Sequence, residues 1–302
     1  MCELANAQGI RCESHQVVTE DGYILGIYRL PGMLGQEVSN DRPPVLLQHG
    51  LESDMMQWVF NNQDIAPAFV MVKGGYDVWL GNNRGNRWSD THTTLDPKKK
   101  EYWDFDWEDM GTKDTPAVIN YILNMTGFAK INYIGHSEGT TQIMAGASLM
   151  PDFYKEKMNV AVFLAPPASM KNNSVLLMQL MSLPVNRAII TAMIDTIHLY
   201  SVLPYGYLTT GVAVLFCNLF DGKLCDLVMK MFADADPKID NTSRYDMYMS
   251  NLPAGAGYRN LVHYAQLIDY NRECFVRYDF GKNENLKRYG SATPPDYELN
   301  KL

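Results

Sequence analysis

Ile131-Asn132-Tyr133-Ile134-Gly135-His136-Ser137-Glu138-Gly139-Thr140-Thr141 is an apolar, β-prone run that ends abruptly in Gly-His-Ser-Glu-Gly. The spacing Gly135-x-Ser137-x-Gly139 predicts a nucleophile elbow, a strand turning sharply into a helix with the serine hydroxyl at the turn. Glycines two residues either side have no Cβ to strike the neighbouring strand and helix, so strained backbone at the serine is tolerated. The context fits, because Glu138 to Leu149 reads as a helix with Ile143, Met144 and Ala147 on one face.

Working back from the elbow, Val17 to Leu30 reads as two strands joined at Asp21-Gly22, a strong hairpin signal. Val45-Leu46-Leu47-Gln48 is a short buried strand stopped by His49-Gly50-Leu51, and Tyr76 to Leu80 is another, running into the turn-rich Gly81-Asn82-Asn83-Arg84-Gly85-Asn86. Gln63 to Lys73 is expected to be helical. The aromatic cluster Tyr102 to Trp107 leads into a helix through about Met125, with Pro116 as a kink or restart. Asn159 to Leu164 is the last clear strand before Ala165-Pro166-Pro167. Strands alternating with helices predict a mostly parallel α/β sheet.

After Pro167 the apolar residues recur at helical spacing to about Leu267, and eight of the 18 methionines lie between Met170 and Met249. This is expected to be a helical insertion. Its methionines either pack its core or line a surface for apolar ligands of variable shape. The plan is therefore 1–167 as the first part of a core, 168–270 as a helical cap and 271–302 as an incomplete return to the core, with Phe275 to Phe280 as a candidate strand.

Composition narrows the function. The chain has 302 residues with 46% hydrophobic and 20% charged, and a net charge of -8. That acidity argues against nucleic acid or an anionic membrane held by charge. No apolar run reaches the length of a membrane span, and Met1 to Asn6 lack a basic and an apolar region of the kind a signal peptide needs. Cys2, Cys12, Cys217, Cys225 and Cys274 show no metal-ligand spacing, although Cys217 and Cys225 could close a short disulfide loop. No metal or cofactor is expected. Sequons at Asn124, Asn172 and Asn241 favour a secretory route.

An elbow serine needs a base, an acid that orients the base, and two amide donors for the oxyanion. The donors expected on such a fold are the backbone N–H of Glu138 and, in the turn after an early strand, that of Leu51. The base is harder to place. Only His198 and His263 follow Ser137, and both lie in helical stretches, where a packed or hydrogen-bonded histidine is the ordinary outcome. His49 and His136 flank the two turns and are expected to orient loops, while His15 and His92 carry no signal.

Glu20-Asp21-Gly22-Tyr23-Ile24-Leu25, Gln48-His49-Gly50-Leu51, Gly75 to Asn86, Gly135 to Thr141 and Asn241-Thr242-Ser243-Arg244 together resemble the acid lipases. These are the gastric and lysosomal lipases and their steryl-ester-hydrolase relatives, and the match runs in one register from about residue 13 to the C-terminus. The resemblance implies the α/β-hydrolase fold with a helical cap, and hydrolysis of triacylglycerols or sterol esters at a lipid–water interface. It supports Ser137 as nucleophile and Leu51 and Glu138 as oxyanion donors, Glu138 standing where well-known members carry Gln. It places Cys217 and Cys225 where the family has a cap disulfide, and implies a secreted or lysosomal glycoprotein. The family's triad Asp and His lie beyond the last motif matched, on strands expected to be missing, so neither is expected in this chain, and Asn159 to Leu164 would be an unpaired apolar edge. Two rival readings remain at this stage: a non-catalytic lipid-binding chain, and an esterase of small soluble esters on the same fold.

Overall fold

The computed structural model of the chain describes residues 1–173, 175–206, 211, 244–270 and 272–301. A short helix α1 (Cys2–Ala7) precedes the hairpin β1 (Glu13–Val18) and β2 (Tyr23–Leu30). Next come β3 (Pro44–Gln48), α2 (Pro67–Lys73), β4 (Asp77–Leu80) and the two-residue β5 (Thr91–His92). Helix α3 (Trp107–Asp109) passes through a π-turn at Met110–Asp114 into α4 (Thr115–Thr126). Then follow β6 (Ile131–His136), α5 (Glu138–Leu149), α6 (Pro151–Lys157) and β7 (Met158–Leu164).

The sheet order is β1-β2-β4-β3-β6-β7, with β5 against β2. The pairs β1/β2 and β2/β4 are antiparallel, whereas β4, β3, β6 and β7 run parallel. Parallel neighbours put the ends of β3 and β6 at the same edge of the sheet, where loops can carry chemistry. The order also leaves β7 outermost. Its Val160, Val162 and Leu164 are 50%, 40% and 41% exposed, an apolar edge with one ladder unpaired among the described residues.

Several sequence expectations are corrected here. The helix expected from Gln63 begins only at Pro67, which sits in its first turn. The restart expected at Pro116 is present, since Pro116 occupies the first turn of α4, and the π-turn around Gly111 directly precedes it. Phe275 to Phe280 is not a strand, because only one isolated bridge, Val276 to Asp296, forms there. Aromatic packing of Phe275 against Trp107 and Tyr297 holds the segment in place of a ladder. Helix α5 also departs from a one-faced pattern, since Glu138 through Ser148 are all buried.

Beyond Pro167 the described residues are mainly helical: α7 (Leu176–Ser182), α8 (Pro184–Ile197), α9 (Tyr245–Met249), α10 (Tyr258–Asp269) and α11 (Lys282–Tyr289). A small ladder, β8 (Ser201–Val202) with β9 (Ala256–Gly257), ties the stretch after α8 to the start of α10. Among the described residues no helix is long and apolar enough to cross a membrane.

The π-turn sets how closely α5 approaches the preceding helix. A Cβ on Gly111 would lie 2.1 Å from the Gln142 carbonyl oxygen, and the Tyr154 hydroxyl donates to the Gly111 carbonyl. Gly111→Ala must push α5 away, and is expected to cost about 1–3 kcal/mol in urea unfolding. Wild-type stability in that variant would mean the approach of the two helices is not tight.

Candidate active site

Ser137 sits between β6 and α5 with φ 50° and ψ -116°, a backbone conformation L-residues rarely adopt. Its N–H donates to the Leu164 carbonyl of β7, its carbonyl receives the Thr140 amide and hydroxyl, and the side chain is half-buried. The flanking glycines are required by space. A Cβ on Gly135 would be 2.8 Å from the Gly139 backbone, and one on Gly139 would be 2.6 Å from the Gln48 carbonyl oxygen. Gly50 closes the arrangement, because a Cβ there would stand 3.0 Å from Ser137 Cβ and 3.1 Å from His136 Nδ1. The turn after β3 thus packs directly against the elbow. Glu138 opens α5, so its N–H has no intrahelical acceptor, and among the described residues the Leu51 N–H has none either.

His49 fixes the turn after β3. Its Nδ1 donates to the Gly50 carbonyl, and its Nε2 accepts from the Asn83 backbone N–H at 3.0 Å and from Asn86 Nδ2 at 3.1 Å. Those partners define one neutral tautomer. Burial lowers its pKa to about 4, so it stays neutral through the ordinary working range. Asn83 then links the layers. Its Oδ1 accepts from Gln48 and Gln142, and its Nδ2 donates to Glu138 Oε1. Asn260 of α10 donates to both Glu138 oxygens, so a helix beyond Pro167 is hydrogen-bonded to the first residue of the elbow helix.

No histidine is placed as a base for Ser137. His263 is fully buried, stacked on Trp107 with ring centroids 3.6 Å apart, and its Nε2 donates to the Val276 carbonyl at 3.0 Å. Asp106 is 3.8 Å from its Nδ1, too long for a hydrogen bond, and burial lowers the imidazole pKa to about 3. His198 caps α8 with φ 55° and contacts the Tyr200 hydroxyl. His15 is engaged by Tyr121 and Glu13, and His92 by the Asp21 carbonyl and the Thr94 amide. His136 lies beside Ser137 in sequence, with its ring against Gly50 and its Nδ1 buried without a partner. Among the described residues no imidazole is hydrogen-bonded to the Ser137 hydroxyl, and all six histidines are described.

The remaining predicted residues are distributed away from this centre. Asn124 and Asn172 are exposed, while Asn241 and the pair Cys217 and Cys225 fall outside the described residues. Among the described residues a disulfide joins Cys2 to Cys12, which was not anticipated, and it pins α1 to the start of β1. Cys274 is a buried free thiol. Sequence reasoning also passed over Asn83, Gln142, Asn260 and Glu52. For Asn83 a signal existed, since a polar residue directly after a buried strand lies at the functional edge of a parallel sheet. Among the described residues no group of three or more His, Cys, Asp or Glu could hold a metal ion.

Comparison with known proteins agrees with this geometry. Residues 1–62 match the model of a partial alpha/beta-hydrolase lipase region, and residues 43–187 match that of the alpha/beta hydrolase fold. The gastric triacylglycerol lipase of Rattus norvegicus is 35% identical over 298 residues, covering 97% of this chain and 73% of its own. Lipase member K of Mus musculus is 36% identical, covering 99% and 74%. A protein of Crotalus adamanteus named for lysosomal acid lipase/cholesteryl ester hydrolase is 34% identical, covering 99% and 74%. Among solved structures, one from Sulfolobus solfataricus named as a lipase superposes with a TM-score of 0.61 at 14% identity, over 88% of this chain and 78% of its own, which supports the fold.

The strain at Ser137 is measurable. Ser137→Gly relieves the positive φ and is expected to gain about 1 kcal/mol in urea unfolding. Ser148→Gly, placed within α5, should instead lose about that amount. A loss at both positions would show that the elbow stores no strain.

Proposed function

Because the chain belongs to the family of gastric and lysosomal acid lipases within the α/β-hydrolase fold, we propose that it hydrolyses carboxylic esters of lipids through an acyl-enzyme on Ser137. The observation that carries this reading is the strained elbow at Ser137 packed against Gly50 of the neighbouring turn. Ser137 Oγ loses its proton to water as it attacks the ester carbonyl carbon, the carbonyl oxygen gains the negative charge, and as the tetrahedral intermediate collapses the C–O bond to the alcohol breaks and the leaving oxygen takes a proton from water. Water then repeats the sequence on the acyl-enzyme, releasing the fatty acid. The free N–H groups of Leu51 and Glu138 are the donors assigned to the oxyanion, as the two-turn arrangement of this fold provides. Both act through the backbone, so their side chains are not fixed by that role.

The substrate class rests on the relatives, which are named for triacylglycerol and cholesteryl ester. The helices beyond Pro167 are assigned as a cap over the site, with Asn260 of α10 tied to Glu138. A secreted or lysosomal location is supported by those relatives and by the Cys2–Cys12 disulfide, which persists in oxidising compartments.

Among the described residues no side chain is hydrogen-bonded to the Ser137 hydroxyl as a base. His263 and His198, which follow Ser137 in the chain, are committed to Val276 and Tyr200, and no carboxylate–imidazole pair faces the elbow among the described residues. A serine with its oxyanion donors but no base keeps only the share of catalysis due to those donors and to binding, several orders of magnitude below a complete triad. A second reading, a lipid-binding chain without turnover, is favoured by the same unpartnered hydroxyl.

Hydrolysis of short and long p-nitrophenyl esters separates the readings. The 302-residue chain is expected to turn over slowly, with a preference for the long ester. Added imidazole should raise the rate by about tenfold or more by supplying the base in solution. Ser137→Ala should lose both the slow rate and the rescue. Rapid turnover without imidazole would place a base inside the chain, and no difference from Ser137→Ala under any condition would favour lipid binding alone.

A further inference from the structure

The two amides assigned to the oxyanion lie on separate turns, so one substrate oxygen can be held by both only where the distance between those turns is fixed. Each amide is gripped through the far end of its own peptide unit. The Gly50 carbonyl, in one plane with the Leu51 N–H, accepts from His49 Nδ1 at 2.8 Å. The Ser137 carbonyl, in one plane with the Glu138 N–H, accepts from the Thr140 amide at 2.8 Å and its hydroxyl at 2.6 Å. These hydrogen bonds orient each plane within its own turn, and none of them joins one turn to the other.

Asn83, 5% exposed in the loop after β4, reaches both turns. Its backbone N–H donates to His49 Nε2 at 3.0 Å and so orients the imidazole that holds the Gly50 carbonyl. Its side-chain Nδ2 donates to Glu138 Oε1 at 3.3 Å, and its Oδ1 accepts from Gln142 of α5 at 2.8 Å and from Gln48 at the end of β3 at 2.5 Å. Both turns are therefore tied to one residue. Asn86 also donates to His49 Nε2, but its other side-chain hydrogen bonds stay within its own loop, with Asn82 and Trp88. Asn260 of α10 completes the donors on Glu138, at 3.2 and 3.1 Å, so both carboxyl oxygens act as acceptors.

We propose that Asn83 is a positioning residue that sets the separation of the Leu51 and Glu138 amides, through His49 on one side and the Glu138 carboxyl on the other. This rests on the reading of Ser137 as nucleophile and of those two amides as donors. Among the described residues no hydrogen bond joins Asn83 to the Ser137 hydroxyl or to either assigned N–H, so its influence on the reaction passes through the geometry of the two turns. A displacement of about 1 Å in such a preorganised site costs up to about a hundredfold in rate.

The test uses Asn83→Asp, which keeps the size of the side chain, the backbone N–H on His49 and an oxygen for Gln48 and Gln142, and sets an acceptor against an acceptor only at Glu138. Adding Glu138→Gln returns a donor to that contact with its polarity reversed. Labelling of Ser137 by a fluorophosphonate is followed against reagent concentration, well below the thermal midpoint of every protein compared, to give a maximal rate and a half-saturating concentration. The measurement is made at about pH 9, to disfavour a proton shared between the two carboxyls of Asn83→Asp. The maximal rate is expected to fall about tenfold or more in Asn83→Asp with the half-saturating concentration unchanged, and to recover to within about threefold of wild type in Asn83→Asp/Glu138→Gln. A maximal rate unchanged in Asn83→Asp overturns the proposal, as does a loss confined to the half-saturating concentration, or a fall that Glu138→Gln does not repair. If Asn83→Asp does not fold, Asn83→Ala, which removes the Glu138 contact without adding charge, should show the same fall, and a wild-type maximal rate there overturns the proposal equally. Labelling that persists in Ser137→Ala, or none in wild type, strikes the nucleophile reading and the proposal with it. Wild-type labelling that is lost in Ser137→Ala leaves that reading standing whatever the Asn83 variants do.

Discussion

The structure depends on one close approach, that of the turn after β3 to the turn after β6. Gly139 can lie against the Gln48 and His49 carbonyls, and Gly50 against Ser137, only because none of these glycines carries a Cβ. Parallel pairing of β3 with β6 brings the two turns to one edge, and the register Gln48 opposite Gly135 aligns them. Strain at Ser137 is tolerable because the surrounding contacts over-determine the backbone: β7 holds its amide, and Thr140 its carbonyl. The nucleophile's position is thus a consequence of sheet topology and missing methyl groups.

Charged groups buried behind that edge hold the loops that feed it. Arg84, 1% exposed, is clamped by Asp114 and Asp21 and lies over the Tyr23 ring, joining the β1–β2 hairpin, the loop after β4 and the helix that leads into α4. Arg29 and Asp77 pair similarly across β2 and β4. Each buried cation has its carboxylates in good geometry, so the desolvation of these charges is offset locally, which is the condition for burying them at all. Glu52 and Glu138 lack such partners, and this contrast makes them stand out.

The elbow was legible because its cause is local: G-x-S-x-G is a steric specification written within five residues. The hairpin at Asp21-Gly22 and the strands at Val45 and Asp77 were legible for similar reasons. Phe275 to Phe280 misled because an apolar, aromatic hexamer reads the same whether it joins a ladder or packs its rings on Trp107 and Tyr297. The Cys2–Cys12 disulfide escaped because its two thiols meet through the tertiary placement of α1, which no periodicity reports. Glu52 drew no notice in the sequence, because the shutting of its carboxyl oxygens from solvent is a product of tertiary packing that no local pattern encodes. The histidines were a different case: sequence order pointed to His198 and His263, and their helical settings already argued for the packed roles that the structure gives them.

The most direct test of the account is a crystal structure of the chain after reaction with a fluorophosphonate. Phosphorus is expected to be bonded to Ser137 Oγ, with the phosphonyl oxygen within about 2.7–3.1 Å of both the Leu51 and Glu138 amide nitrogens. An adduct on another residue, or a phosphonyl oxygen turned away from those two amides, would contradict it.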